Sequence, residues 1–210
     1  VIVVILFLLP LFPFFMRFGG VRESDAIDIV SWFGYTSLGM FAFLLIFVVF
    51  RDIIYSSGLL VLNVIRRIHP SPQQDHPNAD RRRFLIHSTN IGILGLAAGV
   101  SGYGFFDAHY GMQTEPAVIP LPHLPANFVG FQIVQFTDTH VGPTLKRSFI
   151  ENIVAHIRNL NPDLIVFTGD LVDGSVAWLE HDVEPLKELS APCGKFFITG
   201  NHEYYSGALP

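Results

Sequence analysis

Residues 131–140 read FQIVQFTDTH, residues 164–173 read LIVFTGDLVD, and residues 195–203 read KFFITGNHE. Each starts as an apolar, β-branched or aromatic run, the pattern of a buried strand. The strands are expected over Val129–Phe136, Leu164–Thr168 and Lys195–Thr199. Each run ends in a polar string: Asp138-Thr139-His140, Gly169-Asp170-Leu171-Val172-Asp173 and Gly200-Asn201-His202-Glu203. Helical stretches are expected between them, at about Lys146–Leu160 and Val176–Leu189. In the first, Phe149, Ile150, Ile153, Val154 and Ile157 recur at helical spacing and define one buried face. Alternating strand and helix predicts an α/β domain with a largely parallel sheet, beginning near Phe128. Such sheets collect ligands in the crevice outside the carboxyl ends of their strands, where the three polar strings lie.

The two parts of the 210-residue chain differ in charge. Residues 1–114 hold eight arginines, no lysine and seven acids, whereas residues 115–210 hold five basic residues against eleven acids. The formal net charge is −5, and the negative part carries the polar strings. Acidic side chains suit cation binding and argue against a nucleic-acid surface, which needs a basic stripe. A lone cysteine, Cys193, excludes an intramolecular disulfide.

Half of the residues are hydrophobic and mean hydropathy is +0.43, high for a soluble domain. The excess lies in residues 1–107. Three membrane spans are expected, at 1–18, 29–50 and 84–106, because lipid requires about 20 apolar residues whose backbone bonds are all internal. Trp32 and Tyr35 fit an interfacial anchor. Ile53–Ile65 is too short to span alone and reads as a continuation of the second span or as a helix at the membrane surface. His69–Asn78, with three prolines, reads as loop. Small residues in the third span (Gly92, Gly95, Ala97, Ala98, Gly99, Gly102, Gly104) favour close helix approach.

Six arginines (51, 66, 67, 81, 82 and 83) lie between the second and third spans. The positive-inside rule puts that segment in the cytoplasm and everything after Asp107 outside it, at an inner-membrane location. Arg81-Arg82-Arg83-Phe84-Leu85 also resembles a twin-arginine export signal, at an internal position. Residues 108–127, with prolines at 116, 120, 122 and 125, read as an extended linker before the domain at 128–210.

Asp138 and His140, two apart in an extended segment, would face one cation together. Asp170 can reach the same point, and a shared carboxylate is how two cations are held about 3.5–4 Å apart. Asn201 offers a neutral carbonyl oxygen, and His202 can serve as ligand or as proton donor. Each string alone has an ordinary reading as turn or capping chemistry. Their order and their placement at three strand ends favour one metal site. His156 and His181 fall on expected helices, and His69, His76, His87, His109 and His123 lie in the membrane or linker region, so none is recruited to it.

The three strings resemble the first three motif blocks of the calcineurin-like metallophosphoesterase superfamily, over about residues 128–205, in a membrane-anchored bacterial branch. The resemblance implies transmembrane helices followed by the first half of an α/β sandwich. It implies that Asp138 and His140 bind a first divalent metal, that Asp170 bridges both, and that Asn201 binds the second. The ions would be Mn, Fe or Zn. His202 would stand beside the scissile phosphate, oriented by Asp173, and stabilise or protonate the leaving oxygen. Glu203 receives no ligand role.

The family pattern continues with a further His and a Gly-His-x-His block beyond these residues. With its start inside an apolar run and its end soon after the third string, the chain is expected to be a fragment open at both ends, and without those blocks inactive by itself. The expected substrate is a phosphomonoester, phosphodiester or pyrophosphate. A lipid-linked or envelope compound such as UDP-diacylglucosamine is a candidate, although that chemistry needs the cytoplasmic face and the arginines place the domain opposite. The competing expectation is a non-catalytic, metal-binding scaffold or sensor tethered to the membrane. His202 beside intact ligands argues against it.

Overall fold

The computed structural model describes residues 2–18, 23–69 and 79–205. Most of the expected loop at 69–78, with His76, lies outside the described residues. Two compact units emerge. One comprises 1–18 and 33–105, the other 19–32 and 106–210.

In the first unit, α1 (Ile2–Leu8) and α2 (Leu11–Phe18) are separated by a turn at Leu9-Pro10. The expected span over 1–18 is thus two short helices, because Pro10 cannot donate the backbone bond that would continue α1. Pro13 is tolerated in the first turn of α2, where N–H groups lack intrahelical partners anyway. A Cβ on Gly34 would lie 2.6 Å from the Pro13 ring, so glycine permits this contact. Phe7 and Phe41 rings meet at 5.6 Å.

Helix α3 runs unbroken from Asp25 to Ile68. Ile53–Ile65 therefore continues the helix that contains the expected second span. Ser24 caps its start, with the Ile27 N–H 3.4 Å from the hydroxyl. Asp25 and Asp28 in the first turn, and Arg66 and Arg67 in the last, complement the helix dipole. At 1.5 Å per residue, 44 residues reach about 66 Å, well beyond a hydrocarbon core of about 30 Å. Helix α4 spans Ala79–Tyr110. Arg51 of α3 donates to the Asn90 side chain of α4. Both helices are long and apolar enough to cross a membrane, and their most apolar windows are only 11% and 6% buried. A core helix of a soluble domain would be mostly buried.

The second unit contains the α/β domain. Its strands β1 (Ile133–Phe136), β2 (Leu164–Phe167) and β3 (Lys195–Phe197) form a parallel sheet in that order. The register sets Phe136 beside Phe167 and Phe167 beside Phe197. Their rings stack at 4.6 and 5.2 Å. Helix α5 (Arg147–Asn159) connects β1 to β2 and buries Ile150, Ile153, Val154 and Ile157, the face read from spacing. These pack with Ile165, Val141, Val172, Leu179 and Leu189 into one core.

The expected helix over Val176–Leu189 divides into α6 (Val176–Val183) and a 3-10 turn at Glu184–Glu188. Pro185 is the cause, since it removes the N–H that would bond the His181 carbonyl. Arg147 Nη1 takes that carbonyl instead, at 2.7 Å. The expected linker also meets the domain. Met112 packs on the core, His109 lies 3.1 Å from the Thr144 carbonyl, and Thr114 lies 2.7 Å from His156.

Ile150 is fully buried, so Ile150→Ala should cost about 2–5 kcal/mol and Ile150→Val about 0.5–1.5 kcal/mol. Denaturant unfolding monitored by tryptophan fluorescence measures both. Equal, negligible losses would mean that α5 does not anchor the core.

Candidate metal centre

The ladder between β1 and β2 continues past the strands into their polar strings. The Asp138 N–H donates to the Gly169 carbonyl at 3.0 Å, His140 to Asp170 at 3.1 Å and Val141 to Leu171 at 2.8 Å. Asp173 returns a bond to Val141 at 2.8 Å, and Val141 forms an isolated parallel bridge with buried Val172. The first two strings thus run side by side over a small apolar floor. The Thr139 hydroxyl, buried beneath them, donates to the Leu171 carbonyl at 3.1 Å.

Asp138, His140 and Asp170 adopt φ of 54°, 44° and 56°. This corrects the expected extended geometry for Asp138 and His140: left-handed backbone, not strand alternation, aims these side chains. Left-handed φ costs a non-glycine residue about 1–2 kcal/mol, and such strain persists where surrounding structure enforces it, often at functional sites.

The third string closes against the second. Gly169, at φ 99°, lies so near the Gly200 backbone that any Cβ would overlap it, and a Cβ on Gly200 would overlap the Asp170 carboxylate. Helix α7 (Asn201–Tyr205) starts at this junction. The His202 N–H donates to Asp170 Oδ1 at 2.8 Å. Glu203 is 8% exposed, and its carboxylate accepts N–H bonds from Gly200 (2.7 Å), Asp170 (2.9 Å) and Leu171 (2.6 Å). Burial opposes its charge, but these backbone donors outweigh it and hold its pKa below 4.5. Sequence reasoning left Glu203 without a role. The signal was present, because a Glu three residues after a helix cap is the reciprocal half of a capping box.

Asp173 joins the loops at their side chains. Its Oδ1 lies 3.0 Å from His140 Nδ1 and 2.5 Å from His202 Nδ1, and the two imidazoles meet edge-on at 4.5 Å. A carboxylate only accepts, so each ring presents Nδ1–H to it and leaves Nε2 free for other bonds. His140 Nε2 lies 3.7 Å from Asp138 Oδ1. Burial disfavours a charged His140, but the Asp173 hydrogen bond and the charges of Asp173, Asp170 and Asp138 prevail and raise its pKa above 6.5. Ligand atoms of His140, Asp170 and His202 all lie within 4.8 Å of one another. Such a nitrogen and oxygen set suits Zn, Mn or Fe, and a carboxylate on the far nitrogen is the usual way to orient a metal-binding imidazole. The residues therefore fit a divalent cation.

Five of the six residues singled out from sequence, Asp138, His140, Asp170, Asp173 and His202, are joined by these contacts. Asn201 is exposed at the first position of α7. His156 and His181 lie on α5 and α6, as expected.

Residues 131–210 match the calcineurin-like phosphoesterase family. The chain is 37% identical over 111 residues to a transmembrane protein with metallophosphoesterase domain from Danio rerio, covering 53% of this chain and 25% of that protein. The Bos taurus protein of the same description is 32% identical over 60% of this chain and 28% of its own length. A Bacillus subtilis protein described as an uncharacterized metallophosphoesterase, YkuE, is 35% identical over 59% of this chain and 45% of its own length. No solved structure matches. The motif region thus matches the calcineurin-like phosphoesterase family model and is similar to both bacterial and animal proteins. The chain spans between a quarter and under half the length of these three relatives.

Glu203→Gln should lower stability by about 1–3 kcal/mol at pH 7, because the amide presents N–H groups to backbone donors. The lowered carboxyl pKa means that this contribution is complete above pH 4.5 and fades as pH falls through the folded-state value. Urea unfolding at pH 7 and pH 4 should show the variant's deficit shrinking at the lower pH. An unchanged deficit would deny the carboxylate this role.

Proposed function

We propose that the chain is the membrane-anchored, metal-site-bearing part of a phosphoesterase that uses two divalent cations. The substrate is a phosphomonoester, phosphodiester or pyrophosphate, with a lipid-linked or envelope compound favoured by the anchoring. The observation that carries the reading is Asp173 Oδ1 bonded to both His140 and His202 where three strand-end loops meet.

Asp138, His140, Asp170 and Asn201 would hold the ions, with Asp170 shared between them. When bound, such ions activate water near neutral pH and neutralise charge on the phosphoryl oxygens. His202, held by Asp173 through Nδ1, would direct Nε2 at the substrate and stabilise or protonate the departing oxygen. Asp173 would also hold His140 in the tautomer that leaves Nε2 available to a cation. The left-handed backbone at Asp138, His140 and Asp170 presets their positions, so little reorganisation is needed on binding.

The domain after α4 is proposed to lie on the extracytoplasmic side of the inner membrane, on the argument of the arginines at 51, 66, 67 and 81–83. An alkaline phosphatase reporter fused after Asp107 should be active; an inactive reporter beside an active cytoplasmic one would reverse the orientation.

In the intact protein, His202→Ala should retain Mn²⁺ binding by calorimetric titration and lose about 10²-fold or more in kcat on a chromogenic phosphoester. Full turnover would remove His202 from the chemistry. Loss of metal with turnover would make His202 a ligand, which its place beside His140 and Asp170 also permits.

A further inference from the structure

The loop that carries Asp173 is gripped by residues about 150 positions earlier. Glu23 and Asp28 flank the start of α3 and belong to the same compact unit as the metal centre. The Glu23 carboxylate accepts the Ser175 N–H at 2.8 Å through Oε1, and the Ser175 hydroxyl through Oε2. A Cβ on Gly174 would lie 2.6 Å from Glu23 Oε1, so the carboxylate fills the space that glycine leaves. Ser175 caps α6, accepting the Trp178 N–H at 3.3 Å. Asp28 Oδ2 receives Lys146 Nζ at 2.6 Å and Trp178 Nε1 at 3.2 Å. Asp182 holds the same corner, accepting the Arg147 N–H at 3.1 Å with Lys146 Nζ at 3.5 Å. The Asp28 side chain is 15% exposed, so this pair is better shielded than an ordinary surface ion pair.

Three elements thus meet the segment 23–28: the loop at 173–175, the start of α5 and the first turn of α6. Asp173 is two residues from the doubly held Ser175, and the residue between them is glycine, the most freely rotating link in the chain. A bidentate, charge-assisted grip on Ser175 removes much of that freedom. Asp173 in turn holds both imidazoles.

We propose that Glu23 and Asp28 form a clamp that fixes Asp173 for metal binding. They are positioning residues, since each acts through the loop. The clamp rests on the phosphoesterase reading only for its effect on turnover. It also requires Glu23–Asp28 and the motif domain to share one side of the membrane.

The test uses the intact protein in membranes and in detergent. With Cys193→Ser as background, cysteines replacing Glu23 and Ser175 should be joined by a short bis-maleimide reagent, whereas a cysteine at Glu188 paired with that at Glu23 should not. Separately, Glu23→Gln, Glu23→Ala and Ser175→Ala should each weaken Mn²⁺ binding about 10-fold, the scale seen when partners of metal ligands are lost. Glu23→Asp should recover part of the loss, and thermal unfolding of the metal-free variants should identify any that are merely unfolded. Absence of the cross-link overturns the clamp. So does a cross-link accompanied by wild-type Mn²⁺ affinity in all three folded variants. If the parent protein hydrolyses no phosphoester, the functional reading fails, and the cross-link and Mn²⁺ affinities still decide the clamp.

Discussion

The arrangement at the strand ends depends on one oxygen, Asp173 Oδ1, shared by His140 and His202. The two histidines come from the first and third motif loops and Asp173 from the second, so one carboxylate ties all three. Remove that acceptor and each imidazole loses the bond that sets its tautomer and tilt. The bonding is electrostatically consistent. Asp138, Asp170 and Asp173 surround His140 and outweigh the burial that would suppress its charge. A divalent cation placed there would relieve the same crowding of carboxylates.

The shared oxygen is effective because the backbone beneath it is fixed. The first and second loops are stitched by ladder bonds that outlast the strands, and the second and third by the buried Glu203 carboxylate. Gly169 and Gly200 allow the last two loops to come within contact. Below them, α5 and the stacked rings of Phe136, Phe167 and Phe197 hold the strands at spacing. The fold thus converts a generic parallel sheet into a site through a few residues that tolerate left-handed or crowded backbone. The proposed clamp at the start of α3 would add to this support through Ser175.

Much of this was legible in the sequence. The period-3.6 face of α5 and the apolar runs of β1, β2 and β3 report burial, which composition encodes directly. The motif strings also singled out Asp138, His140, Asp170, Asp173 and His202, which the strand-end loops bring into contact, because chemistry restricts residue type. What stayed hidden was geometry that composition does not encode. The left-handed φ at Asp138 and His140 comes from the neighbouring loop's hydrogen bonds, and nothing local announces it. Pro10 and Pro185 were visible, yet the breaks they cause in the expected helices were read through. The contacts of Glu23 with Ser175 and of Asp28 with Trp178 stayed hidden as well, because partners about 150 residues apart leave no trace in local pattern.

The central claim is that loops from three strand ends converge on a common cation site. An anomalous difference map from crystals of the intact protein grown with Mn²⁺ tests it most directly. The account predicts a peak within about 2.0–2.3 Å of His140 Nε2 and an Asp170 oxygen. Full-occupancy Mn²⁺ elsewhere, with none at this position, would contradict it.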